Sequence, residues 1–327
     1  MDKTIYLAGG CFWGIEAYFS KLIGVATEVG YANGKTKDTT YKTVSQTNHA
    51  EVVKITYNNN LIRTAEIIDR FFQIIDPFSL NKQGNDEGTQ YRTGIFFEKN
   101  DKYTKHLALA FNSYIEKIAE RKTEVIIEEI KNYVPAEEYH QKYLKKNPFG
   151  YCHINVNSAF NSFGEFKKKE STEIKEMQLD KLSLDVMLNK ATERPYSSEF
   201  NSNLNKAIGL YVDKISGEPL FITEDQYDAG CGWPSFSRPV FTTAIDFYAD
   251  NTLPEERVEV TSKVQQSHLG HVFPAFKVQT PTRLRYCING ASLRFIDIMK
   301  LKDTVYEKYM FYFPKFTAEL FKNSGLK

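Results

Sequence analysis

TIYLAGGCFWGIEAYFSKL (residues 4–22) decides how the first half of this chain folds. TIYLAG is a short apolar run rich in β-branched and aromatic residues, and reads as a buried strand. After a Gly-Gly pair, FWGIEAYFSKL sets Phe12, Ile15, Phe19 and Leu22 at helical spacing. Strand, glycines, cysteine and helix in that order put Cys11 at or near a helix N-terminus. Unpaired N–H groups and the positive end of the helix dipole favour an anion there. The position therefore predicts a lowered thiol pKa and a nucleophilic Cys11, the alternative being a plain turn with a buried thiol. Only one other tryptophan occurs, in AGCGWPSF (229–236), and it too lies two residues after a cysteine.

Outward from this stretch, strand-like and helix-like segments alternate. AEVVKITY, YRTGIFF and TEVIIEEI read as strands, and LIRTAEIIDRFFQII and DKYTKHLALAFNSYIEKIAE as amphipathic helices. Residues 1–156 are expected to form an α/β domain of the α+β kind, a mixed sheet with flanking helices. A linker is expected over 157–177, because EFKKKESTEIKE (165–176) is lysine-rich and lacks a sustained apolar stripe. Over 178–315 the texture changes to short runs such as LYVDKISGEPLFIT, ERVEVTS, HVFPAF and LRYCINGASLRFIDI, which predict a mainly antiparallel β domain. The tail at 316–327 continues an aromatic-dense stretch and is expected to pack on one of the two domains.

At 327 residues the chain is long enough for one large or two ordinary domains. A formal net charge of +1 gives no electrostatic reason to expect nucleic acid or an anionic membrane as partner. No apolar run reaches the roughly 18 residues of a membrane span. No basic region or cleavage site precedes the first strand, so the expected compartment is the cytoplasm. Cys11, Cys152, Cys231 and Cys287 are too few for a disulfide scaffold and form no CxxC pair. Each is either a buried small hydrophobe or a reactive thiol.

GCFWG at Cys11, NHAEVVKITY around Glu51, GNDEGTQYR around Asp86 and Tyr91, and AEEYHQKYLKKNPFGYC ending at Cys152 together resemble the A-type peptide methionine sulfoxide reductases (MsrA). The resemblance spans residues 3–153 in the family's order. It implies that Cys11 attacks a methionine sulfoxide and that Glu51 protonates the oxygen, as a carboxyl of raised pKa can. Tyr41, Asp86 and Tyr91 would bind the oxygen or orient its surroundings, and Phe12 and Trp13 would seat the methyl group. Cys152 would resolve the resulting sulfenic acid as a disulfide. The stretch between Tyr41 and His49 is shorter than the family's usual one.

AGCGWPSFSRPV, SHLGHVFPAF and LRYCINGASLRF, with ATERPYSSEF and GEPLF upstream, resemble the B-type reductases (MsrB) over residues 178–300. That resemblance implies Cys287 as nucleophile and Cys231 as resolving thiol, the reverse of the chain order in the first half. His268 and His271 are the acid–base candidates. Asn289, two residues from Cys287 on an expected strand, shares its face. Trp233 would seat the methyl group. Many B-type domains carry zinc in two CxxC pairs. Here the corresponding positions are Asp213, Ser216, Ser262 and Gln265, so a domain without metal or other cofactor is expected.

Two such domains imply reduction of both sulfoxide epimers, S by the first and R by the second, in free methionine or in oxidised proteins. The expected partner is a thioredoxin-like reductant. The other readings are a Cys-His acyl-transfer hydrolase pairing Cys11 with His49 or His140, and a redox sensor that does not turn over.

Overall fold

The computed structural model describes residues 2–161, 163, 165–202, 207–275 and 280–323. Phe276 of the HVFPAF run and the tail beyond Asn323 lie outside them. Contacts divide the chain into two compact units, Met1–Phe160 with the stretch from Phe316 on, and Asn161–Lys315. The first unit therefore takes in the described part of the tail, up to Asn323.

The first unit is built on a six-stranded sheet. Its strands are β1 (Asp2–Gly9), β2 (Val25–Ala32), β3 (Ala50–Asn58), β4 (Thr93–Phe97), β5 (Ile126–Glu129) and β6 (Tyr133–Pro135), in the order β5-β4-β1-β3-β2-β6. The β4–β5 pair is parallel and the others antiparallel, so the sheet is mixed. Strand β1 is central, and Ile5, Leu7 and Ala8 are fully buried, which explains its unbroken apolar sequence. Helices α1 (Phe12–Phe19), α2 (Thr64–Ile74) and α3 (Lys102–Ala119) bury the stripes their spacing predicts: Phe12, Ile15 and Phe19; Ile67, Ile68 and Phe71; Leu107, Ala108 and Phe111.

The second unit begins with two short helices, α4 (Ser171–Glu176) and α5 (Lys181–Asn189). Helix α4 lies inside the stretch expected to be a linker. Glu170 and Glu173 close a reciprocal capping box at its start, and Ile174 buries against Met187 and Ile215. A one-turn helix with a single apolar anchor is too short to show a stripe in the sequence.

Nine strands follow among the described residues: β7 (Gly209–Asp213), β8 (Pro219–Ile222), β9 (Gln226–Tyr227), β10 (Ser235–Phe236), β11 (Ile245–Asp250), β12 (Arg257–Ser262), β13 (His268–Pro274), β14 (Leu284–Ile288) and β15 (Leu293–Asp297). They make two antiparallel sheets, β8-β7-β15 and β9-β10-β14-β13-β12-β11. Phe221, Phe236 and Tyr211 stack in the core of this unit.

Candidate active sites

In the first unit Cys11 is the N-cap residue of α1. The preceding Gly10 has φ +81°, and a Cβ there would meet the Gln83 side chain at 2.5 Å, so this turn requires glycine. Glu51 projects from β3 opposite Tyr31 of β2 and reaches the same turn, where its Oε2 accepts from Phe12 N at 3.3 Å. It is only 2% exposed, and burial lifts its pKa to about 8 against the pull of the Phe12 N–H.

Cys11 departs from expectation. Its thiol pKa is raised, not lowered, first by burial and then by the charge of Glu51, with the Trp13 N–H opposing them. An eight-residue helix supplies about half a charge at its start, which does not offset the desolvation of a thiolate 7% exposed.

Tyr41, Asp86 and Tyr91 are all brought to this turn. Burial raises the pKa of Tyr91, and the Glu51 charge is the next contribution; the same two causes, in that order, act on Tyr41, and Asp86 adds to both. Tyr41 is anchored through its backbone N–H to Glu137 at 3.0 Å, and its ring lies 4.7 Å from that of His140. Of the two aromatic candidates, Phe12 is 1% exposed and packs on Tyr31 and His140, so it forms the wall behind the site. Trp13 is half-buried, donates to His140 Nδ1 at 3.2 Å and stacks on Tyr143 at 3.8 Å.

Cys152 lies against the first turn of α1: a Cβ on Gly14 would be 3.0 Å from its sulfur. The two histidines offered as hydrolase partners are otherwise engaged. His49 bonds Thr47 at 2.9 Å and its ring fills the space at Gly34, while His140 serves Trp13.

Two residues of this neighbourhood, Glu137 and Tyr143, were not singled out from the sequence, and a third, His140, was offered only as a hydrolase partner. Glu137 accepts from the Tyr31 hydroxyl at 2.8 Å and from Tyr41 N, joining β2 to the Tyr41 segment. His140 and Tyr143 hold Trp13. All three fall in AEEYHQKY at intervals of three, and that spacing was the available signal.

In the second unit Cys287 lies at the centre of the six-stranded sheet, with Ser235 of β10 on one side and His271 of β13 on the other. The Cys231 and Cys287 sulfurs are 3.4 Å apart, and Ser235 Oγ is 3.2 Å from Cys231. The pair shares its protons. The first is lost readily because the thiolate accepts from the other S–H. That contact leads the causes drawing Cys231 down to about 5, with Ser235 and Arg285 assisting, and it pushes Cys287 up.

A cavity of about 110 Å³ is lined by Trp233, His271, Cys287 and Asn289 among others. His271 Nε2 is held by Asp250 at 2.7 Å, which fixes the ring. His268 is not among the lining residues. It is 3% exposed, stands 5.6 Å behind His271, and bonds Glu259 at 2.7 Å.

Asn289 also differs from expectation. Strand β14 ends at Ile288, and Asn289 caps the 3₁₀ turn Gly290–Ser292. Its Nδ2 donates to Leu269 O at 3.0 Å and its Oδ1 accepts from Glu193 N at 3.0 Å, so the amide is largely committed to the backbone. Glu193, which the sequence reading passed over, receives Gly290 N at 2.6 Å and Ala291 N at 3.0 Å, while its carbonyl takes the Trp233 indole N–H at 3.1 Å. It ties the tryptophan to the turn after the cysteine.

Among the described residues no group of three or more His, Cys, Asp or Glu is placed to hold a metal. The turns that carry cysteine pairs in zinc-bearing relatives are joined here by carboxylates. Asp213 Oδ1 accepts from Ile215 N and Ser216 N, and Glu218 accepts from Val264 N and Gln265 N, all at 2.8–3.0 Å. This donor set has no thiolate, and Asp213 Oδ1 and Glu218 are engaged by backbone N–H groups, so it does not fit the cysteine-ligated structural zinc of those relatives. Among the described residues no helix is long and apolar enough to cross a membrane.

The family model described as peptide methionine sulfoxide reductase matches residues 3–172, and that described as the SelR domain matches residues 179–297. Among solved structures, Mxr1 from Saccharomyces cerevisiae in reduced form is 42% identical over 47% of this chain and 90% of that chain, with a TM-score of 0.44. Methionine sulfoxide reductase A of Corynebacterium diphtheriae is 32% identical over 46% of this chain and 77% of that chain, with a TM-score of 0.43. Mxr1 from Saccharomyces cerevisiae in complex with Trx2 is 30% identical over 43% of this chain and 84% of that chain, with a TM-score of 0.31. The chain belongs to the peptide methionine sulfoxide reductase family and joins an A-type domain to a B-type, SelR domain, an oxidoreductase with both methionine sulfoxide reductase activities on one polypeptide.

Proposed function

We propose that each domain reduces one sulfoxide epimer at its own cysteine, S at Cys11 and R at Cys287, through a sulfenic acid that a second cysteine of the same domain converts to a disulfide. The observation that carries the first half of this reading is the buried Glu51 carboxyl at the Cys11 turn, held protonated near neutral pH. Cys11 Sγ attacks the sulfoxide sulfur, and the oxygen passes to Cys11 as the S–O bond to the substrate breaks. Glu51 hands its proton to that oxygen and takes up the thiol proton. The products are Cys11–S–OH and the thioether, with no net proton change. A thiol of raised pKa suits such an exchange, because its proton leaves as the acid's proton arrives.

In the second domain His271, fixed by Asp250, supplies the proton at Cys287, with His268 behind it and Trp233 as the methyl seat. Cys231, already 3.4 Å from Cys287, resolves the sulfenic acid. The disulfides are returned to thiols by a thioredoxin-like dithiol, and both domains work without zinc or another cofactor in a reducing compartment such as the cytoplasm. The carboxylate network at Asp213 and Glu218 supports the zinc-free reading.

The test is turnover of the separated epimers with a dithiol reductant. Cys11→Ser is expected to abolish S-epimer reduction alone and Cys287→Ser R-epimer reduction alone. Loss of both activities in either variant would refute independent sites.

A further inference from the structure

The resolving thiol is followed at once by His153, and nothing in the scheme above uses it. Its ring is buried in a slot of the first unit between two glycines of positive φ, Gly10 and Gly84. A Cβ on Gly84 would come within 2.9 Å of His153 Cβ, and one on Gly10 within 3.3 Å of its Cε1. Beyond the ring lies Asp86, with Oδ2 3.9 Å from Nδ1, and the Tyr151 hydroxyl borders the same slot at Gly84.

Asp86 Oδ2 and both His153 ring nitrogens are buried without hydrogen-bond partners. Burying three such atoms unpaired is costly, so the placement has to be held by something other than its own polar contacts. Burial lowers the ring's pKa, with the Asp86 charge and the Gly9 backbone opposing it.

The preceding side chain points elsewhere. Cys152 Sγ donates to Ile154 O at 3.1 Å and lies against Gly14, three residues and so about one helical turn on from Cys11. Two consecutive side chains thus grip the nucleophile's turn at two points, His153 at Gly10 and Cys152 at Gly14.

We propose that His153 is a positioning residue for disulfide formation, its seat between Gly10 and Gly84 holding the Cys152 sulfur in register with the first turn of α1. The proposal rests on Cys152 as the resolving thiol. In that step Cys152–SH attacks the sulfur of Cys11–S–OH. The S–S bond forms, the S–O bond breaks, and the thiol proton leaves with the hydroxyl as water. Cys152 is oxidised and the sulfenic sulfur reduced, with no outside reactant.

The experiment mixes the full chain with one equivalent of methionine S-sulfoxide. It follows methionine released, Cys11 sulfenic acid trapped by dimedone, and Cys11–Cys152 disulfide by peptide mapping. His153→Ala is expected to release methionine at the wild-type rate while forming the disulfide about tenfold or more slowly, the range seen when a reacting group is displaced by a fraction of an ångström or more. Gly84→Ala, which narrows the slot from the other wall, is expected to act in the same direction. An unchanged rate of disulfide formation in His153→Ala would overturn the proposal. So would a fall in methionine release by the same factor, which marks a general structural role. Cys152→Ser separates the two levels: if it still forms an intradomain disulfide, the assignment of the resolving thiol fails, whatever His153→Ala shows.

Discussion

Removing the proton from Glu51 is the most discriminating perturbation of the A-type site. Burial raises this carboxyl from 4.5 to about 8. At pH 7 a group of pKa 8 is about 90% protonated, whereas one left at 4.5 would be about 0.3% protonated. The buried setting is therefore worth about 300-fold in available acid, and ionising Glu51 in place costs about 5 kcal/mol more than in water. Single-turnover reduction of an S-sulfoxide should fall about tenfold between pH 7 and pH 9 as the protonated fraction falls. Glu51→Gln retains an acceptor for Phe12 N but has no proton to give. It should lower the rate about 10²- to 10⁴-fold and leave it flat over the same pH range. R-epimer reduction by the same preparation serves as the internal control and should be unchanged. A wild-type rate independent of pH from 7 to 9, or a Glu51→Gln enzyme that keeps the wild-type pH profile, would refute Glu51 as the acid.

The two thiol environments should also separate in alkylation. With Cys231 drawn to about 5 and Cys11 raised, iodoacetamide at pH 7 should label the Cys231–Cys287 pair well before Cys11, as read by peptide mass mapping; faster labelling of Cys11 would show that its helix start outweighs burial. Because the second pair is already within 3.4 Å, a dimedone trap should capture less sulfenic acid at Cys287 than at Cys11 after one turnover of each epimer. Glu218 offers a pH test of the carboxylate network. Burial, with Asp213 adding, lifts it to about 7, so the folded state holds its proton more tightly than the unfolded chain does. Its contribution is complete below about pH 4.5 and falls by roughly 3 kcal/mol as pH rises through 7. The Tm should decline from pH 5 to 8 more steeply in wild type than in Glu218→Gln, and equal slopes would count against it.

How much of this was legible depended on whether a residue's role is local. The helix start at Cys11 was readable because strand, glycine pair and helical spacing are contiguous, and β1 because a central strand must be apolar throughout. The direction of the Cys11 pKa shift was not, since it turns on how deeply the fold buries the thiol and sets Glu51 of β3 beside it. Asn289 lines the Cys287 cavity, as alternation expects, but the commitment of its amide to Glu193 and Leu269 was not legible. Glu193 lies 96 residues before Asn289, and no local pattern marks a carboxylate that serves a distant turn. Helix α4, inside the stretch expected to be a linker, was not legible because its order comes from one buried isoleucine and a capping box.

The two Cys-x-Trp stretches show why equal spacing does not bring equal roles. In GCFWG the cysteine caps a helix beside Glu51, and the tryptophan projects from its first turn onto His140 and Tyr143. In GCGWPSF the stretch is a bend leading into β10, with Gly230 and Gly232 at φ +65° and +88°. The bend brings Trp233 to the cavity beside Cys287 and the Cys231 sulfur to within 3.4 Å of the Cys287 sulfur. A helix start provides N–H donors and one turn of reach, so in the proposed scheme the resolving sulfur comes from another segment, that of Cys152 and His153. A strand centre provides neighbours on both sides, so the proposed acid and resolving thiol come from adjoining segments, His271 from β13 and Cys231 from the chain entering β10. The reversed order of nucleophile and resolving thiol proposed for the two domains matches these geometries: at Cys11 the proposed partner is delivered by what comes after the sheet, and at Cys287 by what was laid down before it.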